Sequence, residues 1–239
     1  MSVSSQYLQA WEGFWRDAPA GEGEVMWDSD PSLNAQRQLP HFEGEFDSAL
    51  PVVDLGCGNG TQTRFLAGRY GRALGIDLST SAIELARAAD EKSVAEYRQL
   101  DAVDGDGMRA LYDELGDANI YMRGVLHQSA PEDRARIVAN IAALLGERGR
   151  IFAVEPAEAS KGVLMSLAQR PAGPPAKLVA ILSHGIAPGE MADTEVSELF
   201  WQHGLRVTGE GRMPLVLTEN DPDGKPIELP TNWVVAGRG

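Results

Sequence analysis

The sequence has a single cysteine, no long apolar run and few basic residues, and each shortage excludes a class of protein. Cys57 alone cannot form an intrachain disulfide or a cysteine-built zinc or iron–sulfur site. No apolar stretch approaches the roughly 20 residues that a membrane span needs. The N-terminus lacks the basic start and apolar core of a signal peptide. We therefore expect a cytoplasmic protein with no membrane partner.

Positive charge is also scarce. The chain carries 21 lysines and arginines against 35 acidic residues, which gives a formal net charge of −14. A surface this acidic repels phosphate backbones and anionic lipid unless a basic patch offsets it, and we find no such patch. The sequence therefore predicts no nucleic-acid partner.

The remaining composition is that of one globular domain, with 239 residues and 43% hydrophobic residues. From about residue 50 onward, short apolar runs alternate with amphipathic helical patterns, which indicates βαβ units on a parallel sheet. The apolar runs predict strands at 50–56, 72–77, 94–102, 118–124, 149–156, 206–217 and 231–238. The amphipathic patterns predict helices at 61–71, 79–90, 106–116, 131–146 and 194–205, and Ser81 and Glu84 have capping-box spacing. We predict a single doubly wound, Rossmann-like α/β sheet of seven strands, the last one antiparallel.

Two regions break this alternation. Residues 1–46 contain an aromatic helix and a second segment from Leu33 to Leu39, and residues 157–193 contain QRPAGPPAK, whose prolines prevent one continuous helix. Both regions are too long to be simple connections in this fold. We predict that residues 1–46 form an N-terminal helical cover and 47–239 a ligand-binding α/β domain, with 157–193 as an inserted cover over its site.

The stretch VVDLGCGNG, residues 52–60, places three glycines at alternate positions behind an apolar run that contains Asp54. Thr61 stands where either a dinucleotide-binding turn or a P-loop would need its last glycine, so neither phosphate-binding template fits. A carboxylate at the strand end also favours cationic or hydroxyl-bearing groups over phosphate. The turn therefore suits a ligand with an ammonium, a ribose and an adenine but no phosphate.

On these residues the sequence resembles the class I S-adenosylmethionine-dependent methyltransferases, over roughly residues 50–155. VVDLGCGNG, GIDLS, QLDA and NIYMRGVLHQ are similar to successive motifs of that family. The resemblance implies that S-adenosylmethionine is the cofactor of the 47–239 domain, that Asp77 takes both ribose hydroxyls and that Asp101 faces the adenine amino group. The cofactor-binding residues that it implies are Asp54, Gly56, Cys57, Gly58, Gly60, Asp77, Leu78, Asp101, Ala102 and Arg123.

The block from Tyr121 to Pro156 is similar to that of small-molecule O-methyltransferases acting on phenols and hydroxylated natural products. The likeness places Arg123 on a cofactor-contacting position, His127 on the general-base histidine and Glu155 on the strand-five acid. That family usually has His-Asp-Trp where this chain has His-Gln-Ser, so its substrate-binding tryptophan is absent. Two hypotheses stay open for His127: a general base, or a structural residue that caps the following loop.

Two further segments are candidates for the site. WEGFWRDAP followed by VMWD resembles the lead-in of methyltransferases related to the thiopurine and tellurite-resistance enzymes, whose tryptophan closes over the methionine end. Trp27 matches that tryptophan, with simple packing as the alternative, whereas we expect Trp11 and Trp15 only to pack. His184, on the inserted cover, is a candidate substrate contact, with a solvated loop position as the alternative.

The sequence offers no convincing metal site. ENDPDG, residues 219–224, mimics the first half of a calcium loop, but Pro230 occupies the position that needs a bidentate glutamate. A hairpin turn between the last two strands explains the segment instead. We predict no metal.

Together these features predict an enzyme that transfers a methyl group from S-adenosylmethionine to a small-molecule substrate, with a hydroxyl or phenol oxygen as the expected acceptor. The alternative is a cofactor-binding module that does not methylate and instead regulates a partner or catalyses another reaction. Methylation of tRNA or protein is a third hypothesis, which the net charge of −14 disfavours. The oligomeric state is left open, with a homodimer as one alternative.

Overall fold

The computed structural model describes residues 3–187 and 189–239, with side chains from Tyr7 onward. Residues 1, 2 and 188, which belong to the two predicted covers, lie outside the described residues. Within the described part, the helices fall short of the length and apolar content needed to cross a membrane.

Seven strands form one sheet in the order β3-β2-β1-β4-β5-β7-β6. They are β1 Val52–Leu55, β2 Ala73–Asp77, β3 Glu96–Gln99, β4 Asn119–Arg123, β5 Arg150–Pro156, β6 Arg206–Asn220 and β7 Pro226–Gly237. The first five are parallel, and β7 runs antiparallel to both β5 and β6. The central strands are buried along their whole length because helices cover both faces of the sheet. The predicted seven-stranded sheet with its antiparallel last strand is confirmed.

Helices follow the parallel strands as the alternating pattern predicts. In chain order, the helices of the described part are α1 Val3–Asp17, α2 Ala35–Phe42, α3 Thr61–Ala67, α4 Thr80–Ala89, α5 Gly105–Leu115, α6 Pro131–Leu145, α7 Ser160–Ala168, α8 Ala176–Ser183 and α9 Glu195–Gln202. One local prediction is wrong. The N-cap of α4 is Ser79, whose hydroxyl accepts from the Ala82 amide at 3.1 Å, and not the predicted pair of Ser81 and Glu84. The Ser81 hydroxyl instead donates to Glu12 of α1 at 2.6 Å.

The two predicted covers contribute differently. Glu12 also accepts from the Ser79 hydroxyl at 2.7 Å, so α1 is attached to the turn that follows β2. The inserted segment forms α7 and α8, separated by the prolines of residues 171–175. Helix α2 packs on the sheet, where the Phe42 ring lies 4.7 Å from the Phe152 ring, and its residues line neither of the cavities described below. Among the helices of the two covers, α1, α7 and α8 therefore border the cavities.

Candidate active site

Two neighbouring cavities open at the carboxyl ends of β1, β2 and β4, where ligands of open α/β sheets bind. The larger has a volume of about 390 Å³ and the smaller about 70 Å³. Six residues belong to the walls of both: Gly56, Asp77, Leu78, Val125, Gln128 and Ser129. The strand ends and the loop after β4 thus form the partition between the two spaces.

The glycine turn after β1 requires glycine for two separate reasons. Gly56, Gly58 and Gly60 all have positive φ, at 76°, 54° and 77°, which side-chain-bearing residues rarely adopt. A Cβ on Gly58 would also lie 2.7 Å from the Trp15 ring, and one on Gly60 would lie 2.7 Å from the Tyr97 ring. Gly56 and Gly58 line the large cavity, whereas Gly60 faces inward and closes the turn onto α3.

The three predicted carboxylates do not meet in one place. Asp77 lines both cavities and accepts from the Gly58 amide at 3.0 Å and the Ser79 amide at 2.9 Å. Asp101 lines the small cavity together with Ala102, and its carboxylate accepts from the Val103 amide at 3.0 Å. Asp54 lines neither cavity. The structure therefore brings two of the carboxylates to the site and places the third beneath it.

Burial governs the electrostatics of these groups. Desolvation raises the pKa of Asp77 to about 6, against hydrogen bonds from backbone amides that lower it. Desolvation likewise raises the pKa of Asp54 to about 6, although the Thr63 hydroxyl donates to this carboxylate at 2.6 Å and Arg123 lies nearby. Burial also raises the pKa of the Cys57 thiol, which lines the large cavity and stays neutral.

Arg123, at the end of β4, is the basic residue of the strand ends. It lines the large cavity, and its Nη1 is buried without a hydrogen-bond partner in the described structure. A buried donor that lacks a partner costs free energy, which a ligand oxygen could recover. Arg123 is therefore a candidate for holding an anionic or carbonyl group.

The loop after β4 carries His127 into the wall of the large cavity. Its ring Nδ1 lies 2.7 Å from Glu155 Oε2, and its Nε2 lies 2.9 Å from the Gln128 amide nitrogen. Because a carboxylate accepts, we assign the proton to Nδ1 and the lone pair to Nε2. Glu155 also accepts from the backbone amides of Val125, Leu126 and His127 itself. This carboxylate, 1% exposed, therefore fixes both the loop and the tautomer of the histidine.

Aromatic residues of the N-terminal segment form one wall of the large cavity. Trp11, Trp15 and Trp27 all line it, and the Trp27 ring centroid lies 5.6 Å from that of Trp11 and 6.3 Å from that of Trp15. Trp11 and Trp15 were expected only to pack; they do pack around Phe14, yet they reach the cavity as well. Asp28 ties this wall to the glycine turn, because the Asn59 amide donates to its carboxylate at 2.5 Å.

The inserted cover and the last two strands supply an apolar wall that sequence reasoning did not identify residue by residue. From α7, α8 and the following turn, this wall includes Leu164, Met165, Leu178, Ile181, Leu182 and Ile186; from β6 and β7 it includes Leu215, Leu217 and Leu229. The clustered aliphatic residues of LVAILS, residues 178–183, were the available signal.

His184, the predicted substrate contact, is not among the residues that line the two cavities. Its Nε2 lies 3.5 Å from Asp17 Oδ2, and its ring packs edge-on against Phe14 with centroids 6.0 Å apart. His184 therefore connects α8 to α1. The solvated alternative does not describe it fully either, because its side chain is only 21% exposed.

Comparison with known proteins gives a consistent result. The family model described as a methyltransferase domain matches residues 52–149. A curated relative, the N-demethylindolmycin N-methyltransferase of Streptomyces griseus, is 40% identical over 90 residues, which cover 37% of this chain. The match spans only 36% of the length of that relative.

Solved structures resemble the whole chain. A SAM-dependent methyltransferase from Anabaena variabilis is 29% identical, with a TM-score of 0.89 over 100% of this chain and 96% of that chain. The magnesium protoporphyrin IX methyltransferase from Synechocystis, with bound SAH, is 14% identical, with a TM-score of 0.56 over 99% and 96% of the two chains. The second likeness is one of fold alone.

Proposed function

We propose that this chain, which belongs to the class I S-adenosylmethionine-dependent methyltransferases, transfers the methyl group of S-adenosylmethionine to a largely apolar small molecule. The observation that carries the proposal is the large cavity itself. It is polar where the strands end and apolar along α7, α8 and the last strands, so one space offers both a cofactor end and an acceptor end. Apolar walls of this kind suit a small molecule rather than an RNA or protein groove.

The residues present fit the cofactor. Asp77, which reaches both cavities, is placed to accept from a ribose diol, and the small cavity between Leu78 and Ala102 suits a planar base whose amino group meets Asp101. The partnerless Nη1 of Arg123 suits the ligand's carboxylate, and the turn at Gly56 and Gly58 leaves the backbone bare for close approach.

The other predicted cofactor residues have supporting roles in this proposal. Trp27 closes the cavity on the side of the N-terminal segment, and Cys57 fills the turn with a small neutral side chain. Asp54 acts from beneath the turn through the electrostatic attraction between its carboxylate and Arg123. Gly60 acts by closing the turn onto α3. When bound, the sulfonium of the cofactor supplies an already activated methyl group.

Once the methyl donor is activated, the protein has to orient the acceptor, exclude water and remove a proton from a hydroxyl acceptor. Helices α1, α7 and α8 exclude water from the cavity. We assign proton removal to His127, because Glu155 holds its Nδ1–H and so keeps the lone pair on Nε2. In the structure the Gln128 side-chain amide donates to this lone pair, so the hydroxyl of the methyl acceptor has to displace the Gln128 amide.

An oxygen acceptor is the first candidate because of this histidine. A nitrogen acceptor is the second, because the curated relative from Streptomyces griseus is named an N-methyltransferase. Comparing the mass and NMR spectra of the methylated product separates the two atoms.

The test combines binding and turnover. Calorimetry should show that the affinity for S-adenosylhomocysteine falls about 30-fold or more in Asp77→Ala. The reason is that losing the carboxylate that accepts from both ribose hydroxyls costs at least about 2 kcal/mol of binding free energy. Asp113→Ala, an exposed acid on α5, is the matched control and should bind like the wild type. Incubation with S-adenosylmethionine and a panel of phenols, hydroxyindoles and secondary amines should then yield S-adenosylhomocysteine. Binding without product across the panel would support the non-methylating alternative, and unchanged affinity in Asp77→Ala would contradict the cofactor assignment.

A further inference from the structure

A buried arginine outside both cavities connects the His127 loop to the inserted cover. Arg134 lies in the first turns of α6, its side chain is 3% exposed, and it belongs to neither cavity wall. Its Nε donates to the Leu126 carbonyl at 3.1 Å, and its Nη1 donates to the Glu190 carbonyl at 3.2 Å and to Glu195 Oε1 at 2.6 Å. One guanidinium thus joins the loop after β4, the end of the inserted cover and the first residue of α9.

The His127 loop is held from two sides by opposite charges. On one side Glu155 accepts the backbone N–H groups of residues 125–127 and the ring Nδ1–H. On the other side, Arg134 donates to the Leu126 carbonyl, and the Gly189 amide donates to the His127 carbonyl at 2.8 Å. The loop that presents His127 therefore has its N–H groups fixed by β5 and its carbonyls fixed by α6 and the inserted cover.

The contact at Gly189 is too close for any larger residue. A Cβ at this position would lie 2.8 Å from the His127 carbonyl oxygen and 2.9 Å from Arg134 Nη2. The end of the inserted cover is therefore packed directly against both the loop and the guanidinium. The same inserted segment carries α7 and α8, which form the apolar wall of the large cavity.

We propose that Arg134 is a positioning residue that holds the His127 loop and the inserted cover in one mutual arrangement, so that the acceptor wall and the loop that meets the acceptor form as a unit. The inference rests on the proposed function, because it treats that wall as the acceptor wall. Burying a guanidinium is costly unless several hydrogen bonds compensate, and the planar fork of arginine reaches three acceptors where an ammonium or an apolar side chain would not.

The test uses the full chain with Arg134→Met, and Arg136→Met as its matched control. Arg136 lies on the same helix, but its side chain is 62% exposed and pairs only with Asp133 among the ion pairs of the described structure. In amide hydrogen exchange, peptides over 124–129 and over 186–192 should both exchange about tenfold faster or more in Arg134→Met, with β1 and β2 unchanged. Arg136→Met should exchange like the wild type. Faster exchange in only one of the two segments overturns the proposal.

Affinities for two different ligands distinguish an effect on the acceptor wall from an effect on the cofactor side. In Arg134→Met the affinity for the apolar fluorophore N-phenyl-1-naphthylamine should fall about fivefold or more, while the affinity for S-adenosylhomocysteine should stay within about twofold of the wild type. Arg134→Lys keeps the charge but not the fork, so it should resemble Arg134→Met in exchange. A lysine variant with wild-type exchange contradicts the role given to the three donors.

Gly189→Ala provides a second route should Arg134→Met fold poorly. The added Cβ crowds both the His127 carbonyl oxygen and Arg134 Nη2, so it disturbs the same junction without removing the guanidinium, and it should accelerate exchange in the same two segments. Unchanged exchange over 124–129 in Gly189→Ala refutes the coupling. The exchange measurements require no turnover. A protein that binds S-adenosylhomocysteine but methylates nothing would therefore contradict the proposed function without changing the exchange expected over 124–129 and 186–192.

Discussion

Replacing Asp54 by asparagine should stabilise the protein near neutral pH. Asp54 lies beneath the glycine turn, is 4% exposed, and has its pKa raised to about 6 from an ordinary value of 3.8, chiefly because burial disfavours the ionised form. At pH 7 the folded protein is therefore destabilised by an ionised, desolvated carboxylate. Asparagine is nearly the same size and keeps an oxygen that can accept from the Thr63 hydroxyl, but it carries no charge.

The size and the sign of the effect follow from linkage. Each pKa unit corresponds to about 1.4 kcal/mol, so the rise in the pKa of Asp54 corresponds to a destabilisation of about 3 kcal/mol at pH 7. Because the folded-state pKa is the higher one, the destabilisation is complete above about pH 6 and disappears as the pH falls towards 4. For a chain of this length the gain in Asp54→Asn at pH 7 corresponds to a rise in Tm of up to about 6–12 °C.

Thermal unfolding followed by circular dichroism at pH 7.5, 6 and 5 measures the effect. The Tm difference between Asp54→Asn and the wild type should be positive at pH 7.5 and shrink at pH 5. Asp113→Asn, on the exposed face of α5, serves as the matched control and should show no such trend. A variant that is less stable than the wild type at pH 7.5, or a difference that does not change with pH, refutes the argument that burial dominates at this carboxylate.

The remaining predictions concern the His127 loop. His127→Asn keeps an N–H that can donate to Glu155 but removes Nε2, so kcat should fall about 100-fold or more with little change in Tm; an unchanged kcat would favour the structural hypothesis. Glu155→Gln replaces an acceptor oxygen by an NH₂ group facing buried amides, which should cost at least about 2 kcal/mol of folding free energy and lower the Tm. Glu158→Gln, which is exposed, is the control, and an equal Tm in both variants would contradict this account of the loop.

The sequence was sufficient for the parts of the site that depend on local rules. Alternating periodicity predicted the sheet, and the carboxyl ends of parallel strands share one edge, so the strand pattern alone predicts that Asp77 and Asp101 lie near each other. The glycine turn was predictable for the same reason, because positive φ at Gly56, Gly58 and Gly60 is a local backbone requirement.

The features that the sequence alone did not supply depend on which way a side chain points or on packing between distant segments. Asp54 follows the same strand-end logic as Asp77, but it turns inward to Thr63, and strand position alone does not fix that direction. Trp11 and Trp15 satisfy the amphipathic pattern of a packed helix, and the pattern cannot reveal that the packed face also borders a cavity. His184 contacts Asp17, which is far away in the sequence. Ser81 was the predicted cap because the sequence does not show that Glu12 captures its hydroxyl.

The apolar wall of the large cavity lies almost wholly outside residues 52–149. It comes from α7, α8, the turn that follows them, β6 and β7, whereas the segment 52–149 supplies the glycine turn, Asp77 and the His127 loop. Exchanging the aliphatic side chains of this wall would therefore reshape the cavity while leaving the glycine turn, Asp77 and the His127 loop unchanged in sequence. Under the proposed function, grafting α7, α8, β6 and β7 between related chains is for the same reason a direct route to altered acceptor choice.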